Sequence, residues 1–173
     1  MKKRAIFLDR DGTINDNLDA YTHQPEHLIF LPGVVEGLKR LQDGGWILVI
    51  ITNQSGIGRG MFTEEQYEVF TRRILSELSE EGVRIDGVYH CPHNPNEGCE
   101  CRKPKIGMFV KASEELGITL DENSWMVGDS EKDVEAGKNA GLKTVLINPD
   151  DVDTTADHKV NNFSEAVEVI LAK

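Results

Sequence analysis

Four successive apolar side chains, Ala5-Ile6-Phe7-Leu8, restrict the fold of this chain more than any other feature. A strand with no polar face must be covered on both sides, which is the situation of a strand inside a parallel sheet. With Arg4 the run predicts a buried strand over 4–8. Further apolar runs at 46–51, 83–90, 125–128 and 144–147 predict four more strands. Between them the period changes to that of helices. Val34, Leu38 and Leu41 follow Pro32-Gly33 and end at Gly44-Gly45. Thr63-Glu64-Glu65-Gln66 has the form of a capping box and precedes Tyr67, Phe70, Ile74 and Leu78, with Gly82 as the stop. Residues 108–116 form another amphipathic stretch closed by Gly117. Ser130 can cap a helix that turns Val134 and Ala140 inward and stops at Gly141, and 163–171 buries Val167 and Ile170. Strands alternating with helices predict an α/β fold, Rossmann-like, with a mainly parallel sheet flanked by helices and right-handed crossovers. Residues 15–31 and 148–158 lack a sustained period and read as loops.

The 173 residues suit one domain, 1–173, and no insertion is long enough for a large cap domain. A chain of this size buries roughly 70% of its unfolded surface without disulfides. The formal charge of −11 disfavours a phosphate-backbone partner over the surface as a whole, so no nucleic acid is expected. Lys2, Lys3 and Arg4 precede an apolar stretch that Asp9 interrupts, which fits neither a signal peptide nor a membrane span. The expectation is a cytoplasmic protein, a monomer, without a membrane partner.

The first strand ends in Asp9-Arg10-Asp11-Gly12-Thr13. Residues two apart in an extended chain point to one side, so Asp9 and Asp11 can face one site, and Gly12 permits a sharp turn. That geometry suits a nucleophile with a proton donor, although Asp, Gly and Thr are also ordinary turn formers. A calcium loop is a poorer match, because the third acid and the distal Glu are absent. The strand at 46–51 runs into Thr52-Asn53-Gln54-Ser55-Gly56-Ile57-Gly58-Arg59-Gly60, whose hydroxyls, amides and glycines suit a phosphate or serve as a plain connector. Ligands of open parallel sheets bind beyond the carboxyl ends of the strands, so the two loops can meet in one crevice.

Cys91, Cys99 and Cys101, the only cysteines, fall within eleven residues together with His93. Three thiolates and an imidazole are the donor set of a closed, structural zinc site, with His90 as a competing ligand. Metal binding would rigidify a loop that has no core of its own. Arg102-Lys103-Pro104-Lys105 follows directly. It reads either as a solvated charged patch or as an anion grip, with Lys103 neutralising a phosphoryl group and Arg102 holding a second anion.

Asp9-x-Asp11-Gly12-Thr13, Thr52-Asn53, Lys103 and Gly128-Asp129 with Asp133 resemble, in order and placement, the four motifs of the haloacid dehalogenase superfamily phosphatases. The Thr52–Gly56 loop and the Cys-x-His…Cys-x-Cys-Arg-Lys-Pro run resemble the subgroup of heptose bisphosphate and histidinol-phosphate phosphatases. The resemblance spans nearly the whole chain. It implies Asp9 as the nucleophile, Asp11 as acid and base, Thr52 and Lys103 on the phosphoryl oxygens, and Asn53 helping to position them. It further implies catalytic Mg2+ on Asp9, Asp129 and the Asp11 carbonyl, beside structural zinc on Cys91, His93, Cys99 and Cys101. Asn17, Asp19, Tyr21, Gln54, Ser55, Arg59, Arg102 and Ser130 would shape an open substrate site. Gly58, where Ala is usual in the heptose enzymes, the five residues between His93 and Cys99, and Ser130 where Lys is common depart from the heptose pattern. The implied reaction is removal of the C7 phosphate from a heptose 1,7-bisphosphate, a small phosphorylated sugar. Histidinol phosphate is the alternative substrate, and a non-catalytic zinc module binding an anionic partner is the alternative from another class. A nucleic-acid end phosphatase ranks third because of the acidic composition.

Overall fold

The structure is a computed structural model that describes residues 3–18 and 22–172. Asp19 and Tyr21, expected at the substrate site, lie outside the described residues. Six strands form one sheet in the order β3-β2-β1-β4-β5-β6, every neighbouring pair parallel. They are β1 (Ala5–Leu8), β2 (Ile47–Asn53), β3 (Gly87–Cys91), β4 (Trp125–Gly128), β5 (Lys143–Ile147) and β6 (His158–Val160). The helices are α1 (Val34–Asp43), α2 (Ser55–Gly58), α3 (Glu64–Glu80), α4 (Gly107–Leu116), α5 (Glu131–Asn139) and α6 (Phe163–Leu171).

The apolar run of β1 feeds two cores. Ile6 and Leu8 pack with Leu38, Phe70, Ile74 and Val167 from α1, α3 and α6 on one face. Ala5 and Phe7 pack with Met108, Phe109 and Ala136 from α4 and α5 on the other. The alternation of side chains along a strand divides the run in this way, and all four residues are fully buried. In this strand order the connection reverses between β1 and β4, and the carboxyl ends there flank the crevice in which such sheets bind ligands.

Three segments differ from the sequence expectation. The 148–158 loop runs into a sixth strand, held where Asp157 accepts from the Thr144 amide and hydroxyl, both at 2.8 Å. The third strand starts at Gly87 rather than 83, after Asp86 has accepted the Leu48 amide at 3.0 Å. The glycine-rich segment after β2 is not open loop throughout, since Ser55–Gly58 forms one helical turn. The expected capping box of α3 is present, with Thr63 and Gln66 bonded reciprocally.

Candidate active site

Asp9, Thr52, Asn53 and Asp129 come from the carboxyl ends of strands, Arg102 and Lys103 from the loop between β3 and α4, and Lys132 and Asp133 from the first turn of α5. Asp9 follows β1, and its amide donates to the Val127 carbonyl of β4 at 3.0 Å. The chain then turns at Gly12, whose φ of +85° suits glycine and whose missing Cβ leaves room for Asp129: a Cβ there would sit 2.2 Å from Asp129 Oδ2. Gly128 plays the same part for Asp133, with a virtual Cβ 2.3 Å from its Oδ2. Asp9, Asp129 and Asp133 thereby bring carboxylate oxygens within 4.8 Å of one another.

Lys103 lies buried in the middle of this negative charge. Its Nζ donates to Asp9 Oδ1 and Asp133 Oδ1, each at 2.7 Å, and to the Ile51 carbonyl at 3.0 Å. Burial opposes the ammonium charge, but Asp133 and Asp9 outweigh it and raise the Lys103 pKa. One cation does not balance the cluster. Burial and the charges of Asp133 and Asp129 push Asp9 well above the usual carboxylate range, and burial followed by Asp133 raises Asp129. Hard oxygens short of positive charge are a fitting donor set for a divalent cation such as Mg2+. Asp133 is already bonded to Lys103 and to the Ser130 amide and hydroxyl, at 3.2 and 2.9 Å, which leaves Asp9 and Asp129 the freer pair.

A cavity of about 230 Å3 opens over these groups, lined also by Asp11, Asn17, Thr52, Asn53, Arg102, Ser130 and Lys132. Lys132 is not singled out by any sequence motif; its place in the first turn of α5 is the signal that could have found it. Arg102 is half-buried, and its Nη1 is buried with no hydrogen-bond partner. A larger groove of about 470 Å3 lies beside Phe30, Glu77, Glu80 and Glu81, but its acidic wall would repel a phosphate.

Several expected binding residues are engaged with protein partners. Asn53 and the Lys103 backbone bond reciprocally, Nδ2 to the carbonyl at 3.1 Å and the amide to Oδ1 at 3.0 Å. Gln54 and Ser55, expected at the entrance, are buried, and Gln54 Nε2 donates to Asp11 Oδ2 and Thr52 Oγ1, both at 2.9 Å. Because Thr52 Oγ1 accepts there, its own proton is free for another acceptor. Arg59 is exposed and is not among the residues lining the cavity.

The sulfur cluster sits beyond β3. Cys101 Sγ is 3.0 Å from Cys91 Sγ and 3.1 Å from His93 Nδ1, and Cys91 Sγ is 3.5 Å from both Cys99 Sγ and His93 Nδ1. Tetrahedral zinc, with Zn–S near 2.3 Å, separates its ligands by about 3.3–3.8 Å; the two Cys91 contacts at 3.5 Å fall in that range, the two Cys101 contacts are shorter, and the donor set of three thiols and an imidazole fits the metal. The cysteines form no disulfide. Burial raises the Cys91 thiol, whereas at Cys99 burial is overcome by hydrogen bonds from the Arg102 amide and the neighbouring thiols, which lower it to about 7. His90, the competing ligand, instead pairs with Glu64 and stacks on Tyr67 at 4.0 Å.

A family model described as HAD-hydrolase-like matches residues 100–167. The D-glycero-beta-D-manno-heptose-1,7-bisphosphate 7-phosphatase of Haemophilus ducreyi is 46% identical over 154 residues, 85% of this chain and 84% of its own. The protein of the same name from Escherichia coli K12 is 38% identical, covering 96% and 93%. Among solved structures, the D,D-heptose 1,7-bisphosphate phosphatase of B. bronchiseptica, complexed with magnesium and phosphate, superposes with a TM-score of 0.86. It is 30% identical over 98% of both chains.

Proposed function

The chain belongs to the D-glycero-beta-D-manno-heptose-1,7-bisphosphate 7-phosphatase family of HAD-like hydrolases, and from that premise we propose that it hydrolyses the C7 phosphate of the β-anomer of this sugar bisphosphate. The observation that carries the reading is a cavity lined by three cationic side chains. Lys103 lies on its floor against Asp9, and Arg102 and Lys132 line the same cavity. A bisphosphate carries a second anionic group for Arg102 and Lys132 to hold, whereas the amine of histidinol phosphate would meet them with like charge.

In the proposed reaction an Asp9 carboxylate oxygen attacks the C7 phosphorus, forming an Asp9–phosphorus bond as the bond to the C7 oxygen breaks. Asp11 gives its proton to that leaving oxygen. Asp11, now a carboxylate, takes a proton from water as the water oxygen attacks phosphorus and frees Asp9. Lys103 and the Thr52 hydroxyl hold the phosphoryl oxygens, Asn53 fixes the Lys103 backbone, and Arg102, which lines the cavity, grips the second phosphate. Asp9, Asp129 and the Asp11 carbonyl would hold Mg2+, which supplies the charge neutralisation that lets a carboxylate meet a phosphate. Cys91, His93, Cys99 and Cys101 would hold structural zinc. The reading extends to one domain acting as a cytoplasmic monomer on a small sugar, and the charge of −11 supports a partner other than nucleic acid.

Phosphate release with Mg2+ tests this, comparing both heptose bisphosphate anomers with histidinol phosphate and using Asp9→Asn as the blank. The expected result is kcat/KM for the β-anomer at least ~100-fold above histidinol phosphate. Equal or better turnover of histidinol phosphate overturns the substrate assignment.

A further inference from the structure

Asp11 is held by more donors than any other carboxylate in the crevice, and the central one is Arg10. Arg10 Nε donates to Asp11 Oδ1 at 2.8 Å and Nη2 to Oδ2 at 3.0 Å, a bidentate fork on the adjacent residue. Asn15 Nδ2 adds a bond to Oδ1 at 3.0 Å, and Gln54 Nε2 one to Oδ2. Arg10 is only 1% exposed, unusual for an arginine. Its guanidinium lies 4.9 Å from the Phe70 ring and 5.6 Å from that of Tyr67, both on α3, and Nη2 also donates to the Thr22 carbonyl at 2.9 Å. The fork is therefore fixed on three sides, by aromatic rings, by the Thr22 carbonyl and by Asp11.

We propose that Arg10 is the positioning residue for the acid–base Asp11, and that it ties the Thr22 segment to the orientation of that carboxylate. The inference rests on the role given to Asp11 above. A side chain needed only to fill the core would not require a guanidinium, since burying its charge costs several kcal/mol unless it is paired. A planar fork sets the direction of a carboxylate, which an ammonium cannot do. Asp11 must meet the leaving oxygen and later a water, and general acid–base catalysis decays quickly when its geometry is lost.

The test uses the leaving group. An alkoxide such as the C7 oxygen needs the Asp11 proton as the phosphorus–oxygen bond breaks, whereas p-nitrophenolate leaves without one. Arg10→Met is expected to lower kcat/KM about 100-fold for heptose bisphosphate and less than about threefold for p-nitrophenyl phosphate. Arg10→Lys keeps the charge, loses the fork, and should fall about tenfold on the sugar alone. In an Asp11→Asn background, Arg10→Met should change kcat/KM for heptose bisphosphate less than about twofold, because the two act as one unit. Melting temperature is read for every variant, and should Arg10→Met fail to fold, Arg10→Lys carries the comparison. Equal losses on both substrates, or a full Arg10→Met penalty persisting in the Asp11→Asn background, would overturn the positioning role alone. If Asp11→Asn itself spares the sugar substrate, the acid–base reading of Asp11 fails and the Arg10 assignment falls with it.

Discussion

The sulfur cluster draws Cys91, His93, Cys99 and Cys101 from the end of β3 and the loop that follows it, whereas the carboxylate cluster draws Asp9, Asp129 and Asp133, with Lys103 among them, from distant parts of the chain. The first can close around a metal as a local event, because few residues separate its donors and little loop entropy opposes closure. The second exists only after β1, β2 and β4 have paired, and it concentrates like charge that an unfolded chain would keep apart. With a metal bound, the first cluster would contribute to stability, while the second draws on stability supplied by the two cores. They meet at Lys103, two residues beyond Cys101.

The sharpest way to separate them is Asp9→Asn. Phosphate release should fall by at least ~10^4-fold, since the nucleophile is gone. Zinc content by atomic emission should stay at the wild-type level, and without Mg2+ the melting temperature should not drop, because a buried like charge has been removed. A loss of zinc in this variant would show the clusters to be one folding unit.

Cys101→Ser attacks the other side. It removes one of four donors, and loss of the metal is expected to lower the melting temperature by roughly 10 °C, from ~3–4 kcal/mol at 2–4 °C per kcal/mol. Lys103 then loses one anchor, so kcat should fall about tenfold, measured by phosphate release beside calorimetry. Unchanged kcat in a zinc-free variant would mean that Asn53, Asp9 and Asp133 hold Lys103 unaided.

Gly58→Ala probes the seam between the two regions. The Gly58 amide donates to the Pro92 carbonyl at 2.8 Å, and a Cβ would fall 2.6 Å from Asn94 N and 2.7 Å from Pro92 O. Overpacking of backbone on backbone should cost about 1–3 kcal/mol, read as a lower denaturant midpoint. The short sulfur loop of this chain thus lies against a position that needs glycine. Full stability of the alanine variant would instead mean that this loop yields easily.

The smallest effect is expected far from both clusters. Burial opposes the Asp157 charge, but hydrogen bonds from the Thr144 hydroxyl and amide outweigh it and hold the carboxyl below its ordinary range. A depressed folded-state pKa gives stability that is present above the unfolded pKa, near 3.9, and lost as pH falls through the folded value. Asp157→Asn should therefore cost about 0.5–1 kcal/mol at pH 7, discounted for its exposure, and the gap from wild type should close below about pH 4 in urea melts.

Much of the molecule is legible in its residues alone. The donors of the sulfur cluster, the α3 capping box and the boundaries 125–128 and 163–171 rest on local chemistry and appear where the residues imply, and the buried strand expected over 4–8 begins one residue later, at Ala5, with Arg4 exposed. β6 carries no such signal, because it has three residues, of which only Val160 is buried. The turn at Ser55–Gly58 is hidden by glycines, which show no helical period.

What the sequence determined by itself was five of the six strands, the five longer helices and the grouping of Cys91, His93, Cys99 and Cys101, because period, capping and donor type are properties of neighbouring residues. Only the tertiary structure decided that Asp133 joins Asp9 and Asp129, that Asn53 and Gln54 serve Lys103 and Asp11, and that Arg10 lies against the rings of α3. Those pairings span tens of residues. They depend on strand order and on where helices cross the sheet, for which no local pattern carries a signal.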